Sequence, residues 1–207
     1  MRNAKGRQIK VHFMVMVLMR SRYKFVYLQN VPFTSKTTVY AHHLAFRYFG
    51  GVPKKVVYDQ DRRMLVNENY GDYVMTDEFA KYVKSVCFEP VFCMPYDPAS
   101  KGQSEAVVKY VKNNFLAGRT YVSIDSLNDE AIGWLERTGN GKVNSSTRLV
   151  PAEEFKTERL ELMPYVETME EPELEAREYS IRKDNTLLYH SNFYSLPLGT
   201  YEGPGSK

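Results

Sequence analysis

Hydrophobic positions along this chain recur with two periods, and the two alternate in order. The run "RQIKVHFMVMVLM" (residues 7–19) is apolar on successive positions and rich in valine, which predicts a central strand buried on both faces. After the polar break "RSR", "YKFVYLQNV" (residues 23–31) alternates and predicts its antiparallel partner in a hairpin. "TSKTTVYAHHLAFRYFGG" offers Thr34 or Ser35 as N-cap, an amphipathic run, and Gly50 and Gly51 as a stop, which makes a helix of about three to four turns. "KKVVYD" is a short strand with Asp59 at its C-terminal end, "DEFAKYVKSVCF" a second helix opened by Thr76, and "EPVFCM" another short strand. A loop rich in Pro, Asp, Ser and Gly then leads into a helix from about Ser104 to Leu116.

Short apolar strands alternating with helices after an antiparallel hairpin predict an α/β fold, a mixed sheet flanked by helices. "SIDSLNDEAIGWLERTGNGKVN" predicts a further helix, started by Asp125 or Ser126 and ended at Gly139, and "TERLELMPY" a helix end packing back on the core. Residues 167–178, "ETMEEPELEARE", are acidic with little to bury and read as a linker or exposed arm. Beyond them "EYSIRKDNTLLYHSNFYSLPLGTYEG" alternates, with turn signals at Asp184-Asn185 and Ser191-Asn192, so it predicts β-hairpins too few to form an independent core.

With 43% hydrophobic and 26% charged residues, the 207-residue chain can fill one sizeable core with a smaller appendage. The longest apolar run, "FMVMVLM", is bounded by His12 and Arg20 and is too short for a bilayer span. The basic N-terminus lacks the pattern of an export signal, so the expected location is cytoplasmic. Cys87 and Cys93 have no histidine near them in sequence and read as buried, reduced thiols rather than zinc ligands. Charge is graded: residues 1–60 hold 11 Lys/Arg against the single acid Asp59, whereas residues 121–207 hold 9 against 16 acids. A basic first third suits a polyanionic partner, and equally a solvated basic face.

Two carboxylates stand out. Asp59 ends a strand and Glu105 begins a helix, and the carboxyl ends of strands in an open α/β sheet are where sites collect. Paired carboxylates there are hard oxygen ligands suited to Mg²⁺. Glu105, Lys109 and Lys112 fall at i, i+4 and i+7 and share a helix face, a carboxylate followed by two ammonium groups. The same features have plain explanations, since the helix dipole favours an early glutamate, Glu-to-Lys pairs decorate surfaces, and Asp59 in "YDQD" can form a turn. His42-His43 lacks two further ligands nearby and reads as ordinary helix histidines; Trp134 and the other aromatics read as core; Ser104 has no evident base partner.

"FRYFGGVPKKVVYDQDR", "PYDPASKGQSEAVVKYVKNNFLAGR", "NSSTRLVPAEEFKTERLELMP" and "NFYSLPLGTYEG" together resemble the transposases of two-gene bacterial insertion sequences, the IstA type, relatives of retroviral integrases. The resemblance implies a ribonuclease-H-like fold with an Asp, Asp, Glu triad. It makes Asp59 the second acid and Glu105 the third, as metal ligands and catalytic groups, and implies that Lys101, Lys109 and Lys112 contact DNA. Gln60 stands where the family has Asn, and Asp61 ranks below Asp59. No acid precedes Asp59, so the first carboxylate of the triad has no candidate. Residues 1–120 of the chain therefore resemble such a core without its first acidic strand. A helical extension over 121–166, the acidic linker 167–178 and a truncated β-barrel-like segment over 179–207 follow. The family's N-terminal helix-turn-helix region would be absent.

What the resemblance implies chemically is two-metal phosphoryl transfer with Mg²⁺, for which Mn²⁺ can substitute, cutting transposon ends and joining them to target DNA. Double-stranded DNA, a helper ATPase and further copies of the chain are the implied partners. With one of three acids missing, the fragment is expected to be nearly inactive. Two alternatives stay open here: a non-catalytic nucleic-acid-binding or assembly module of the same fold, and a ribonuclease-H-type nuclease acting on hybrids.

Overall fold

In the computed structural model a basic arm and a two-stranded hairpin open the chain. The structure describes residues 1–58, 65–69, 72–93, 98–166, 180–189, 192–201 and 203; for residues 65–69, 72, 73, 98–104, 189 and 192 it describes the backbone alone. The arm begins with β1 (Arg2–Asn3) and folds back so that Arg2 bridges Gln8. Strands β2 (His12–Val17) and β3 (Lys24–Gln29) then pair antiparallel, with Val15 opposite Val26 and Met16 opposite Phe25. Because strand side chains alternate, Met14, Met16, Phe25 and Tyr27 enter one core, and Phe13, Val15, Val26 and Leu28 enter a second on the other face.

The expectation for this hairpin is corrected in one respect. The first strand is confined to six residues and is half-buried apart from Met16, while β3 is the strand buried on both faces. The reason is what packs on it. Helices cover both sides of β3, and two carboxamides complete its outer edge. Asn128 accepts from Leu28 N and donates to Leu28 O, each at 2.9 Å. Asn140 accepts from Lys24 N at 2.8 Å and donates to Lys24 O at 2.9 Å. The buried Lys24 ammonium donates to the carbonyls of Arg22 and Gly139, and burial, helped by the charge of Arg22, lowers its pKa to about 8.

Helix α1 (Ser35–Phe49) starts at a capping box in which Thr34 Oγ1 accepts from Thr37 N and Thr37 Oγ1 from Thr34 N. It ends at Gly50 in the left-handed conformation, φ 68°. The next residue is glycine for a different reason: a Cβ on Gly51 would lie 2.7 Å from Leu162 Cβ and 2.9 Å from Met163 O. Strand β4 (Lys55–Tyr58) follows, then the antiparallel pair β5 (Leu65–Asn69) and β6 (Asp72–Met75), which the hydrophobic pattern did not predict. Helix α2 (Asp77–Val86) is capped by Thr76 and closed by Cys87 at φ 63°.

Strand β7 (Glu89–Phe92) pairs parallel with β4. Helix α3 (Pro98–Val111) begins about six residues earlier than expected, with proline at its first position, where the missing N–H costs nothing. A π-helical turn, Lys112–Leu116, ends it. Strand β8 (Thr120–Tyr121) runs parallel to β1, and helix α4 (Ile124–Trp134), capped by Ser123, closes with a second π-turn at Leu135–Gly139. Helix α5 (Pro151–Glu158) returns to the hairpin. The Glu158 carboxylate accepts from Arg20 N and Ser21 N, and the Phe155 ring stacks on Tyr23 with centroids 4.1 Å apart.

One core joins α1 (Phe46, Phe49), β4 (Val56, Tyr58) and α2 (Phe79, Tyr82); the other joins β3 to Val111, Phe115, Leu127 and Trp134. The elements up to α5 belong to a compact unit, Met1–Pro172; in a second, Glu173–Lys207, β9 (Thr186–Tyr189) pairs antiparallel with β10 (Asn192–Ser195). The acidic residues 167–178 lie outside the described residues. Among the described residues, no helix is long and apolar enough to cross a membrane.

Candidate active site

Strands β4 and β7 are parallel, with Tyr58 opposite Phe92, so their C-terminal ends lie on one edge. Asp59 is the next residue after Tyr58 and lies outside the described residues, as do Gln60 and Asp61. Helix α3 begins six residues beyond Phe92. Its inner face buries Val111, continued by Phe115 in the π-turn, so Glu105, Lys109 and Lys112 are exposed on the other side. The structure thus brings these three together on one helical face. Lys101 is in the helical backbone of α3, but its side chain is outside the described residues, as is that of Ser104.

The end of β4 is held from beneath. Val56 and Tyr58 point into the core, while Lys55 and Val57 face out. Lys55 and Glu89, opposite each other in the ladder, form an ion pair at 3.0 Å. The Tyr58 ring stacks on Phe92 at 5.4 Å, meets Phe79 edge-on at 5.5 Å, and lies 5.5 Å from the ring of His42. Burial pushes the Tyr58 phenol up, and the neighbouring Tyr82 adds to the effect. His42 donates from Nδ1 to the Thr38 carbonyl, 2.7 Å away. Burial lowers its pKa to about 4 against a smaller upward pull from that carbonyl. His42 Nε2 and the Tyr58 hydroxyl are both buried without a hydrogen-bond partner among the described residues.

Both histidines are buried in the core, where His43 Nδ1 bonds the Tyr165 hydroxyl, and Trp134 is core as expected, buried against Tyr110 and Phe115. The cysteines divide. Cys93 is buried, as expected, but Cys87 is exposed, because it occupies the left-handed cap of α2, where its Sγ donates to Lys84 O. Among the described residues no three His, Cys, Asp or Glu side chains converge on a metal-sized space. Glu105 is one exposed hard oxygen donor, so the donor chemistry suits Mg²⁺ better than a softer ion. The packing of His42 under Tyr58 carries no sequence signal beyond helical spacing, and the carboxamide clamps of Asn128 and Asn140 carry none.

No family model matches the chain. A curated relative does: the transposase for an IS21-like insertion sequence element of Bacteroides fragilis is 53% identical over 196 residues, 95% of this chain and 38% of the relative. The chain belongs to the IS21-like transposases. The transposase of insertion sequence IS21 from Pseudomonas aeruginosa is 28% identical over 199 residues, 93% of this chain and 49% of that protein. This IS21-like chain thus spans less than half the length of either relative. Its fold is ribonuclease-H-like. A chain of the simian T-cell lymphotropic virus intasome, solved with a regulatory subunit of PP2A, matches it with a TM-score of 0.51 at 16% identity, over 78% of this chain and 54% of that one.

Proposed function

We propose that this chain carries the catalytic region of a DNA transposase and that Asp59 and Glu105 bind a divalent metal, Mg²⁺ or in its place Mn²⁺. The observation that carries the reading is topological. The parallel β4–β7 pair ends Tyr58 and Phe92 on one edge, Asp59 is the next residue after Tyr58, and α3 with the exposed Glu105 follows β7. Metal bound there would activate a hydroxyl nucleophile and stabilise the leaving oxygen of a DNA phosphodiester.

The chain's own residues supply the rest. Glu105 offers a carboxylate at the surface, where a duplex can reach it, and Lys109 and Lys112 stand on the same face to bind phosphates; Lys101 belongs to the same helix. The buried Tyr58, packed on Phe79, Phe92 and His42, fixes the strand end that leads into Asp59. The substrates are transposon ends and target duplex, with a helper ATPase and further copies of the chain in the working complex. Strand transfer in this family also requires a first aspartate, and residues 1–58 contain no acid. The 207-residue chain by itself is therefore expected to bind metal weakly and to transfer strands poorly.

Mn²⁺ titration read by electron paramagnetic resonance tests the pair. The wild-type chain should bind the ion, and Asp59→Asn and Glu105→Gln should each weaken binding by roughly tenfold or more, since each removes one charged ligand. A variant that binds like wild type takes its residue out of the site. If neither variant matters, the chain is a DNA-binding or assembly module.

A further inference from the structure

The basic first third of the chain has a definite shape at its start. The Asn3 carboxamide accepts from Lys5 N at 3.1 Å and Arg7 N at 2.9 Å, Asn3 N donates to Arg7 O, and Met1 and Ile9 exchange hydrogen bonds across the base. The result is a folded loop with Arg2, Lys5, Arg7 and Lys10 all exposed. No acid occurs anywhere in residues 1–58 to neutralise them.

The loop is also placed. β1 lies in register with β8, Arg2 beside Thr120 and Asn3 beside Tyr121, so the arm docks on the segment that leaves the lysine-bearing helix α3. Between the two lies an open cleft of about 490 Å³ walled by Arg2, Gln8, Leu116, Arg119 and Thr120. Arg119 is a fixed part of this wall. It pairs with Glu130, donates from Nε to Phe115 O at 2.6 Å and lies 4.4 Å over the Phe115 ring. Glu130 is thereby occupied, and the arm's cations face outward.

We propose that the arm, Arg2, Lys5, Arg7 and Lys10, is a phosphate-binding surface for duplex DNA that extends the track begun by Lys109 and Lys112. This rests on the reading that the chain acts on DNA. Two physical arguments favour a duplex backbone as the occupant. Successive phosphates of one strand advance about 3.4 Å along the duplex axis, so a cluster of four cations can meet several at once with release of counterions. The arm is already ordered by its own hydrogen bonds, so binding does not have to fix its backbone.

The test is fluorescence anisotropy of a labelled duplex with the 207-residue chain, in EDTA, across a range of salt concentrations. Arg2→Ala/Lys5→Ala/Arg7→Ala should weaken binding roughly tenfold or more near physiological salt and lower the log–log salt slope by about 2 to 3. The charge-matched variant Lys36→Ala/Lys81→Ala/Lys84→Ala, whose lysines are exposed on α1 and α2, should change the slope far less. An arm variant that binds like wild type overturns the proposal. So does an equal loss in the charge-matched variant, which would mean that net charge alone acts.

Should the arm variant fail to fold, lysine acetylation of the wild-type chain with and without duplex decides. Protection of Lys5 and Lys10 supports the surface, and equal labelling overturns it. A chain that binds DNA through the arm yet shows no Mn²⁺ binding would sink the metal site alone. A chain that binds no duplex at all would sink the arm.

Discussion

Replacing His42 with phenylalanine should flatten the acid limb of this protein's stability curve. The imidazole is fully buried among Phe46, Tyr58, Phe79 and Tyr82, and its pKa falls from 6.5 to about 4. Between those values the unfolded chain holds a proton at this residue and the folded chain does not, so folding loses stability as pH drops through the window. The loss starts near pH 6.5 and is complete near pH 4, where the shift corresponds to about 3 kcal/mol. By pH 5 about 2 kcal/mol should be gone.

Urea denaturation at pH 7, 6 and 5, done in parallel on wild type and His42→Phe, isolates this one group, because every other titrating residue is common to both. Phenylalanine keeps the aromatic contacts and cannot titrate. Wild type should therefore lose about 2 kcal/mol more than the variant between pH 7 and pH 5. Parallel profiles would refute the reasoning, since they would mean that His42 takes up its proton in the folded state, with a partner or solvent reaching Nε2.

Two further substitutions probe packing. Gly51→Ala forces a methyl against Leu162 Cβ and the Met163 carbonyl, within 3 Å of both, and should destabilise by about 2 kcal/mol as overpacking, read as a lower urea midpoint at unchanged slope. Asn140→Ala strips a buried backbone N–H and C=O of Lys24 of their partners and should cost about 3 kcal/mol, more than Asn128→Ala at its less buried position; equal costs would contradict the burial argument.

Much of this fold could be read from the residue pattern where local chemistry and tertiary structure agree. Thr34, Thr76, Gly50 and the strand "KKVVY" sit where capping and alternation put them. The exposed face carrying Glu105, Lys109 and Lys112 is legible because helical spacing alone decides which residues share it. What failed did so because the deciding partner is distant in sequence. The expected first strand reaches back to Arg7, yet the Asn3 carboxamide and the β8 segment draw residues 7–11 into the arm. Which strand of the hairpin is sandwiched depends on residues 100 and 116 positions away, Asn128 and Asn140. Cys87 is exposed because a helix ends there, and its identity carries no sign of that.

Those two asparagines also give the sheet a direction. An exposed strand edge is a template on which any extended chain can add. On β3 the outward-facing amides and carbonyls of Lys24 and Leu28 are already taken by side chains that cannot propagate a ladder. Growth by strand addition is closed on that side, whether the incoming strand belongs to another copy, to a misfolded neighbour or to a peptide. Any strand joining the hairpin must do so along β2, so a symmetrical edge-to-edge dimer through β3 is ruled out by two carboxamides.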